Sequence, residues 1–253
     1  MNIVVPMKQV PDLVEELEID SSGKDLDREW LKNKVNEFDD HALEEALLLK
    51  EESGATVTAI ALDGDDIDKV LFAAAAKGAD KLVKVTGIDG AVSSHEAASV
   101  LAEAIKGLGA DVVMTGVQAV DDRDGQLAVL LAHKLGFAHV SVVTGVAPEG
   151  DKLTVSKEYG GGVIAEFEVT TPVVLGIQAA RQTPRYVPVA RVRQAMKKSS
   201  VDEVAASGTG TDTGSVVNRM FKPEGGGNAE MIEGSAEDQA AKIVEILTQK
   251  GVK

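Results

Sequence analysis

The sequence predicts an α/β fold built on a mostly parallel, doubly wound sheet, with antiparallel edge strands and an extended C-terminal arm ending in a helix. Three observations carry this. Short apolar runs alternate with helical patterns of roughly 10–15 residues through the first half of the chain, the rhythm of right-handed βαβ crossovers. Only 3% of residues are aromatic against 44% hydrophobic, so the core must be Val, Ala, Leu and Ile, as suits a sheet covered by helices on both faces. Beyond Gly136 the apolar runs are separated by turns alone, which predicts a β-rich edge extending the sheet in antiparallel fashion.

The elements follow in order. Asn2 to Met7 is a first strand, apolar on both faces and stopped by Pro6 and Pro11, with a polar exit at Lys8-Gln9-Val10-Pro11-Asp12. Leu17 to Asp27 reads as a loose hairpin turning at Ser21-Ser22-Gly23. Asn36 precedes a helix over 39–52, with Asp39 or Asp40 as its cap and Ala42, Ala46 and Leu49 inward; Gly54 ends it. Ala55 to Leu62 is a strand leaving through Asp63-Gly64-Asp65, and Asp66 to Lys77 a short Ala-rich helix stopped by Gly78. Lys81 to Val85 is a strand, and Ser93 to Leu108 a helix capped from Ser93-Ser94.

The central stretch is Asp111 to Gly136. Val112-Val113-Met114 is a buried strand bounded by Gly116, Leu127, Leu130, Leu131 and Leu135 stand at helical spacing, and Gly136 supplies the stop. Strands at 140–146, 152–158, 163–170 and 173–177 come next. From Arg181 the chain no longer reads as sheet. Residues 182–198 carry two prolines and a cluster of Arg and Lys; 201–227 is a linker or extended arm; 236–249 is an amphipathic helix capped by Ser235. The expected organisation is an α/β domain over 1–180, a proline-containing, locally basic loop stretch over 181–200 and an arm over 201–253.

The bulk numbers exclude more than they suggest. A net charge of −15 with no basic tract on any expected helix argues against nucleic-acid partners and anionic membrane surfaces. Without cysteine there is no disulfide framework, thiolate metal site or Cys nucleophile, and His41, His95, His133 and His139 form no metal-ligand spacing. No apolar run approaches the ~20 residues of a membrane span and no signal-peptide pattern opens the chain, so the expectation is a cytoplasmic protein without membrane insertion.

No nucleophile–base arrangement is visible, nor a phosphate loop of the Walker type, nor Gly-x-Gly-x-x-Gly after the first strand. What remains is three strand exits on one sheet edge: Met7 to Val10, Asp63-Gly64, and Gly116 to Gln126. In open α/β sheets ligands bind in the crevice beyond such carboxyl ends. An adenine nucleotide fits there, with main-chain edges for the base and a helix N-terminus for phosphate.

These residues resemble the beta subunit of electron transfer flavoproteins, from Asn2 to about Lys198. The likeness lies in Lys8-Gln9-Val10-Pro11-Asp12, Asn36 followed by Ala42-Leu43-Glu44-Glu45-Ala46, Lys77-Gly78-Ala79-Asp80, and Gly116-x-Gln118-Ala119-x-Asp121-Asp122. It continues in Val155-x-Lys157-Glu158-x-Gly160-Gly161-Gly162, Pro172-Val173-Val174, Pro184-Arg185-Tyr186 and Ala195-Met196-Lys197-Lys198. Gly160 stands where the family signature usually has an acid, and Glu166 is one residue from the signature's glutamate.

The resemblance implies an electron carrier rather than an enzyme: a heterodimer whose alpha subunit holds the redox-active FAD. The pair would take electrons from flavin dehydrogenases, such as the acyl-CoA dehydrogenases of fatty acid oxidation, and pass them to a membrane quinone-linked oxidoreductase. The beta subunit would hold AMP, or a second FAD in bifurcating members, through Pro6, Lys8, Asn36, Asp63, Gly116, Gln118, Asp121, Asp122, Arg123, Asp124, Gly125, Gln126 and Leu127. Gly125, Gln126 and Leu127 would turn backbone N–H groups to phosphate. Glu158 would lie near the partner's flavin, and Tyr186, Val189 and Met196 would dock partner dehydrogenases. The loop lacks the Thr-Ala-Gln-Val-Gly-Pro run of bifurcating members, which favours AMP, although Leu127 lacks the hydroxyl of many AMP-binding members. A stand-alone adenine-nucleotide-binding stress-type protein is the rival; it would need a Gly-rich phosphate loop. A hydrolase or transferase would need a nucleophile at a strand exit.

Overall fold

A five-residue run that is apolar on both faces belongs in the middle of a covered sheet. β1 (Asn2–Pro6) lies there in a computed structural model that describes residues 1–88, 92–122, 124–208, 216–223 and 229–252. β4 (Thr56–Leu62), β5 (Lys81–Thr86), β6 (Val112–Gly116), β7 (Ala138–Glu149), β8 (Lys152–Tyr159), β9 (Val163–Val169), β10 (Val173–Ile177) and β11 (Asp202–Ala205) join it. The order is β11-β5-β4-β1-β6-β10-β7-β8-β9. The pairings from β11 across to β7 are parallel; β7–β8 and β8–β9 are antiparallel.

Alternate side chains of each strand serve opposite layers. Ile3, Val5, Val112 and Met114 pack with Leu43, Leu47 and Leu71 from α1 (Glu37–Ser53) and α2 (Ile67–Lys77). Val4, Val113 and Val174 pack on the other side with Leu101, Ile105 and Leu131 from α3 (Ser94–Leu108) and α4 (Leu127–Leu135). Each fully buried Leu or Ile contributes about 1.5–3 kcal/mol, so the two layers supply the main driving force. Ser93 caps α3 by accepting from the Glu96 N–H, as its position predicts.

Several expectations are corrected. β10 is not part of an antiparallel edge: it returns between β6 and β7, parallel to both. Its five residues are all buried, the unalternating pattern of a doubly covered strand. β11 places sheet structure after Arg181, beside β5. The stretch expected as a loop over 181–200 is not a loop throughout, because α5 (Val189–Lys198) starts directly after Pro188, whose φ of −64° leads into a helix. The polar exit after β1 forms β2 (Gln9–Pro11), which pairs with β3 (Asn33–Val35) in a separate two-stranded sheet. The hairpin expected at 17–27 is present as an antiparallel bridge between Ile19 and Leu26.

Residues Met1–Asn218 form one compact unit and Arg219–Lys253 a second. The second contains α6 (Ala236–Gln249), closed at its start by a capping box between Ser235 and Asp238.

Candidate functional site

The sheet reverses its direction of growth beside β1: β4 and β5 extend to one side, β6 and β10 to the other. The crevice at such a switch point is where open α/β sheets take ligands. Here the split is visible in the ladder. β1 and β6 pair only through Ile3 with Val112 and Val4 with Val113, whereas β1 and β4 pair over five positions, through Pro6 with Ile60.

The N-terminus of α1 spans the split. Asn36 is buried at the cap position, but its side chain makes no capping bond. It instead donates through Nδ2 to the Gln118 carbonyl at 2.9 Å, while its own N–H donates to the Lys8 carbonyl at 3.0 Å. Asp39, expected as a helix cap, is 5% exposed and faces the sheet. Its carboxylate accepts from the Lys8 N–H at 3.0 Å and from the Gly116 N–H at 3.1 Å. Gly116 has no room for a larger residue: a Cβ there would lie 2.5 Å from Asp39 Oδ1 and 2.7 Å from Phe38 Cβ.

Lys8 extends from the β1 wall to the loop on the β6 wall. Its Nζ lies 2.7 Å from Asp121 and 3.8 Å from Asp122, and Asp122 in turn accepts from the Ala119 N–H. Asp124 accepts from the Ser94 hydroxyl of α3 and from the Gln126 N–H, both at 3.0 Å. That N–H, expected to be open to phosphate, is therefore used by the chain itself. Gly125 takes φ +60°, a left-handed turn that leads into α4 and favours glycine. Thr115, one residue before Gly116, has a fully buried hydroxyl with no hydrogen-bond partner among the described residues.

Thus Lys8 reaches Asp121 and Asp122, Asn36 reaches Gln118, and Asp39 reaches Lys8 and Gly116 across the split, with Pro6 at the end of β1 and Asp124 to Leu127 following in the same connection. Asp63 stands at the β4 exit, where its carboxylate accepts from the Gly64 N–H. Arg123 lies outside the described residues. Glu158 is exposed on β8, opposite Ile164, and β8 is three strands from β6; it is not part of the crevice. Tyr186, Val189 and Met196 are exposed at or before α5, whose Ala195 is buried. An open cavity of about 730 Å³ lies elsewhere, between β3 and the Asp65–Asp66 turn. Its Lys32, Lys34 and Lys69 are each paired with a carboxylate, of Glu15, Asp12 and Asp66.

Asp39 and Ser94 are the residues that sequence reasoning missed here. The one signal for Asp39 is that two adjacent aspartates follow a residue already able to start the helix.

Burial drives the Asp39 pKa up to about 7 from an ordinary 3.8, against the opposing pull of the Lys8 and Gly116 N–H groups, Asn36 and the Lys8 charge. Burial also raises that of Asp122, offset by Lys8. Between these values folded Asp39 holds a proton that the unfolded chain has released. Its contribution to stability is therefore full below about pH 4 and lost as pH rises through about 7. The melting temperature of the wild type should fall relative to Asp39→Asn between pH 5 and pH 8. A pH-independent difference between the two would contradict this.

Among the described residues no group of acids and histidines could hold a metal ion, and no helix is long and apolar enough to cross a membrane. The sequence profile of the electron transfer flavoprotein domain matches residues 25–208. The electron transfer flavoprotein subunit beta of Methylophilus methylotrophus is 34% identical, over 98% of both chains, and that of Clostridium acetobutylicum is 34% identical over 99% of both. A protein of Anaerotignum propionicum named acryloyl-CoA reductase electron transfer subunit gamma is 27% identical over the full length of both chains. A profile covering most of the chain, with relatives of this identity along nearly all of it, places the protein in the electron transfer flavoprotein family, among the beta subunits.

Proposed function

We propose that this beta subunit pairs with an alpha subunit carrying FAD and holds an adenine nucleotide, AMP, in the crevice between β1 and β6. The pair would be a cytoplasmic electron carrier, loaded by flavin dehydrogenases such as acyl-CoA dehydrogenases and discharged to a membrane quinone-linked oxidoreductase. The observation that carries the nucleotide reading is the switch-point crevice itself. Its walls are stitched by Asn36 and Asp39, its floor has a glycine where any Cβ would collide, and the Thr115 hydroxyl, without a partner among the described residues, is buried at the strand's exit.

AMP fits that setting better than a second flavin. It has no redox chemistry, so it would act by filling and rigidifying the crevice, stabilising the fold in proportion to its excess over Kd. Asp121, Asp122 and Asp124 line the loop and Lys8 is already shared by the first two. Such a loop disfavours an anionic reduced flavin. Phosphate would displace Asp124 from the Gln126 N–H or use the following N–H groups of α4, which have no partner within the helix.

For partner recognition, Tyr186, Val189 and Met196 supply exposed apolar contacts, with Arg191, Arg193, Lys197 and Lys198 alongside on an otherwise acidic protein. Glu158 would approach the flavin of the alpha subunit, and residues 201–253 would wrap that subunit. The test is flavin reduction in the reconstituted complex by an acyl-CoA dehydrogenase and its substrate, followed by stopped flow. Reduction is expected with the wild type, and Val189→Ala should slow it roughly fivefold, the worth of ~1 kcal/mol of apolar contact, with assembly intact. No reduction of the wild-type complex would reject the carrier reading. Unchanged kinetics in the variant would reject only the docking role.

A further inference from the structure

We infer that Asp39 is a positioning residue for the nucleotide crevice, a cross-brace that holds the exits of β1 and β6 at the separation the ligand requires. The inference rests on the nucleotide reading of that crevice. Beyond Val4 and Val113 the two strands no longer pair, so no ladder bond fixes their distance where the ligand would enter. The ladder's register, continued, sets Met7 opposite Gly116. At that level the Asp39 carboxylate takes the place of the missing rungs: one oxygen accepts from the N–H of Lys8 on the β1 side, the other from the N–H of Gly116 on the β6 side.

The brace is rigid because its carrier is fixed to both walls. The Asn36 N–H bonds the Lys8 carbonyl, the Asn36 amide bonds the Gln118 carbonyl, and the Asp40 N–H returns to the Asn36 carbonyl. Gly116 leaves the space that Oδ1 occupies. An aspartate at the third position of a helix ordinarily turns back towards its own N-terminus. Here it is turned outward and buried, at a cost in desolvation that a solvent-facing cap would not incur. Lys8 Nζ is engaged by Asp121 and Asp122, so what Asp39 holds is backbone on both sides.

Loss of the brace would leave two N–H groups without acceptors and release the start of the 117–126 loop, which leads into α4. The effect should therefore fall on the phosphate more than on the nucleoside. The test uses the full chain in complex with its alpha subunit, freed of nucleotide and titrated calorimetrically at pH 8 with AMP and with adenosine. Asp39→Asn keeps the side-chain volume but turns an amide donor towards one of the two N–H groups. It should weaken AMP binding tenfold or more and adenosine binding threefold or less. Asp39→Ala should do the same, and the Asn variant carries the test if the Ala variant does not fold. Leu153→Ala, a buried change in β8 remote from the crevice, should lower the melting temperature while leaving both affinities unchanged.

Wild-type AMP affinity in Asp39→Asn would overturn the inference while leaving the nucleotide site standing. So would an equal fall for AMP and adenosine, which marks a merely structural residue. A wild-type complex that binds neither ligand would overturn the site and the brace together.

Discussion

Arg181→Ala is expected to destabilise the protein by about 3–5 kcal/mol, because it strands a buried carboxylate. Glu45 is fully buried in α1. Arg181 reaches it through Nε at 2.7 Å and through its own backbone N–H at 2.9 Å, and the Val146 N–H adds a third bond at 2.7 Å. The guanidinium goes on to Glu52 with both terminal nitrogens. Its partners raise the Arg181 pKa against the opposing effect of burial, so the cation persists at any working pH. Without it, a charge taken out of water keeps only backbone donors. Arg181→Lys should fall between, since an ammonium cannot repeat the two-sided fork. Urea unfolding of the three proteins gives the result directly. A loss below about 1 kcal/mol for the Ala variant would mean that the buried pair contributes little to stability.

Gly116→Ala should have the second large effect, and on binding more than on stability. The new methyl would meet Asp39 Oδ1 at 2.5 Å, Phe38 Cβ at 2.7 Å and the Asp39 backbone nitrogen at 2.9 Å. None of these is the free end of a flexible chain. The N-terminus of α1 must move away from β6, at about 1–3 kcal/mol for overpacking of this kind. The same displacement draws Asp39 from the Gly116 N–H and Asn36 from Gln118, so both stitches across the crevice open together. Copurified nucleotide should fall well below stoichiometry. An Ala variant that retains it in full, with an unchanged melting temperature, would contradict the geometry.

The two expected results concern one helix. Near its start α1 carries Asn36 and Asp39 across the crevice. Along its body, Glu44, Glu45, Glu51 and Glu52 hold Arg181 and Arg185, fixing the segment that leads to Tyr186 and α5.

How far the sequence reveals this depends on the range over which the forces act. The parallel sheet is legible because each apolar strand and each Gly-stopped helix is specified locally, by period and by breaker residues. β10 was readable in principle, since Val173 to Ile177 has no polar alternation; proximity to hairpin strands outweighed that signal. The three strand exits were found because topology alone puts them on one edge. Asp39 was not, because an acid in the first turn already has a local explanation, and only the fold shows it turned towards β1 and β6. The pairing of Arg181 with Glu45 spans 136 residues and leaves no trace in local pattern, although Arg185 and Glu44-Glu45 lie within family motifs. β11 was hidden for a different reason. Four exposed residues that gain order only by pairing with β5 have no hydrophobic signature of their own.

The most direct test of the account is to copurify the chain with its alpha subunit, denature the complex, and identify the released nucleotides by chromatography. The account predicts one FAD and one AMP per heterodimer, with the AMP lost in Gly116→Ala and the FAD retained. Two FAD and no AMP would contradict the reading of the crevice as a structural nucleotide site and make the loop from Asp121 to Leu127 part of a second redox centre.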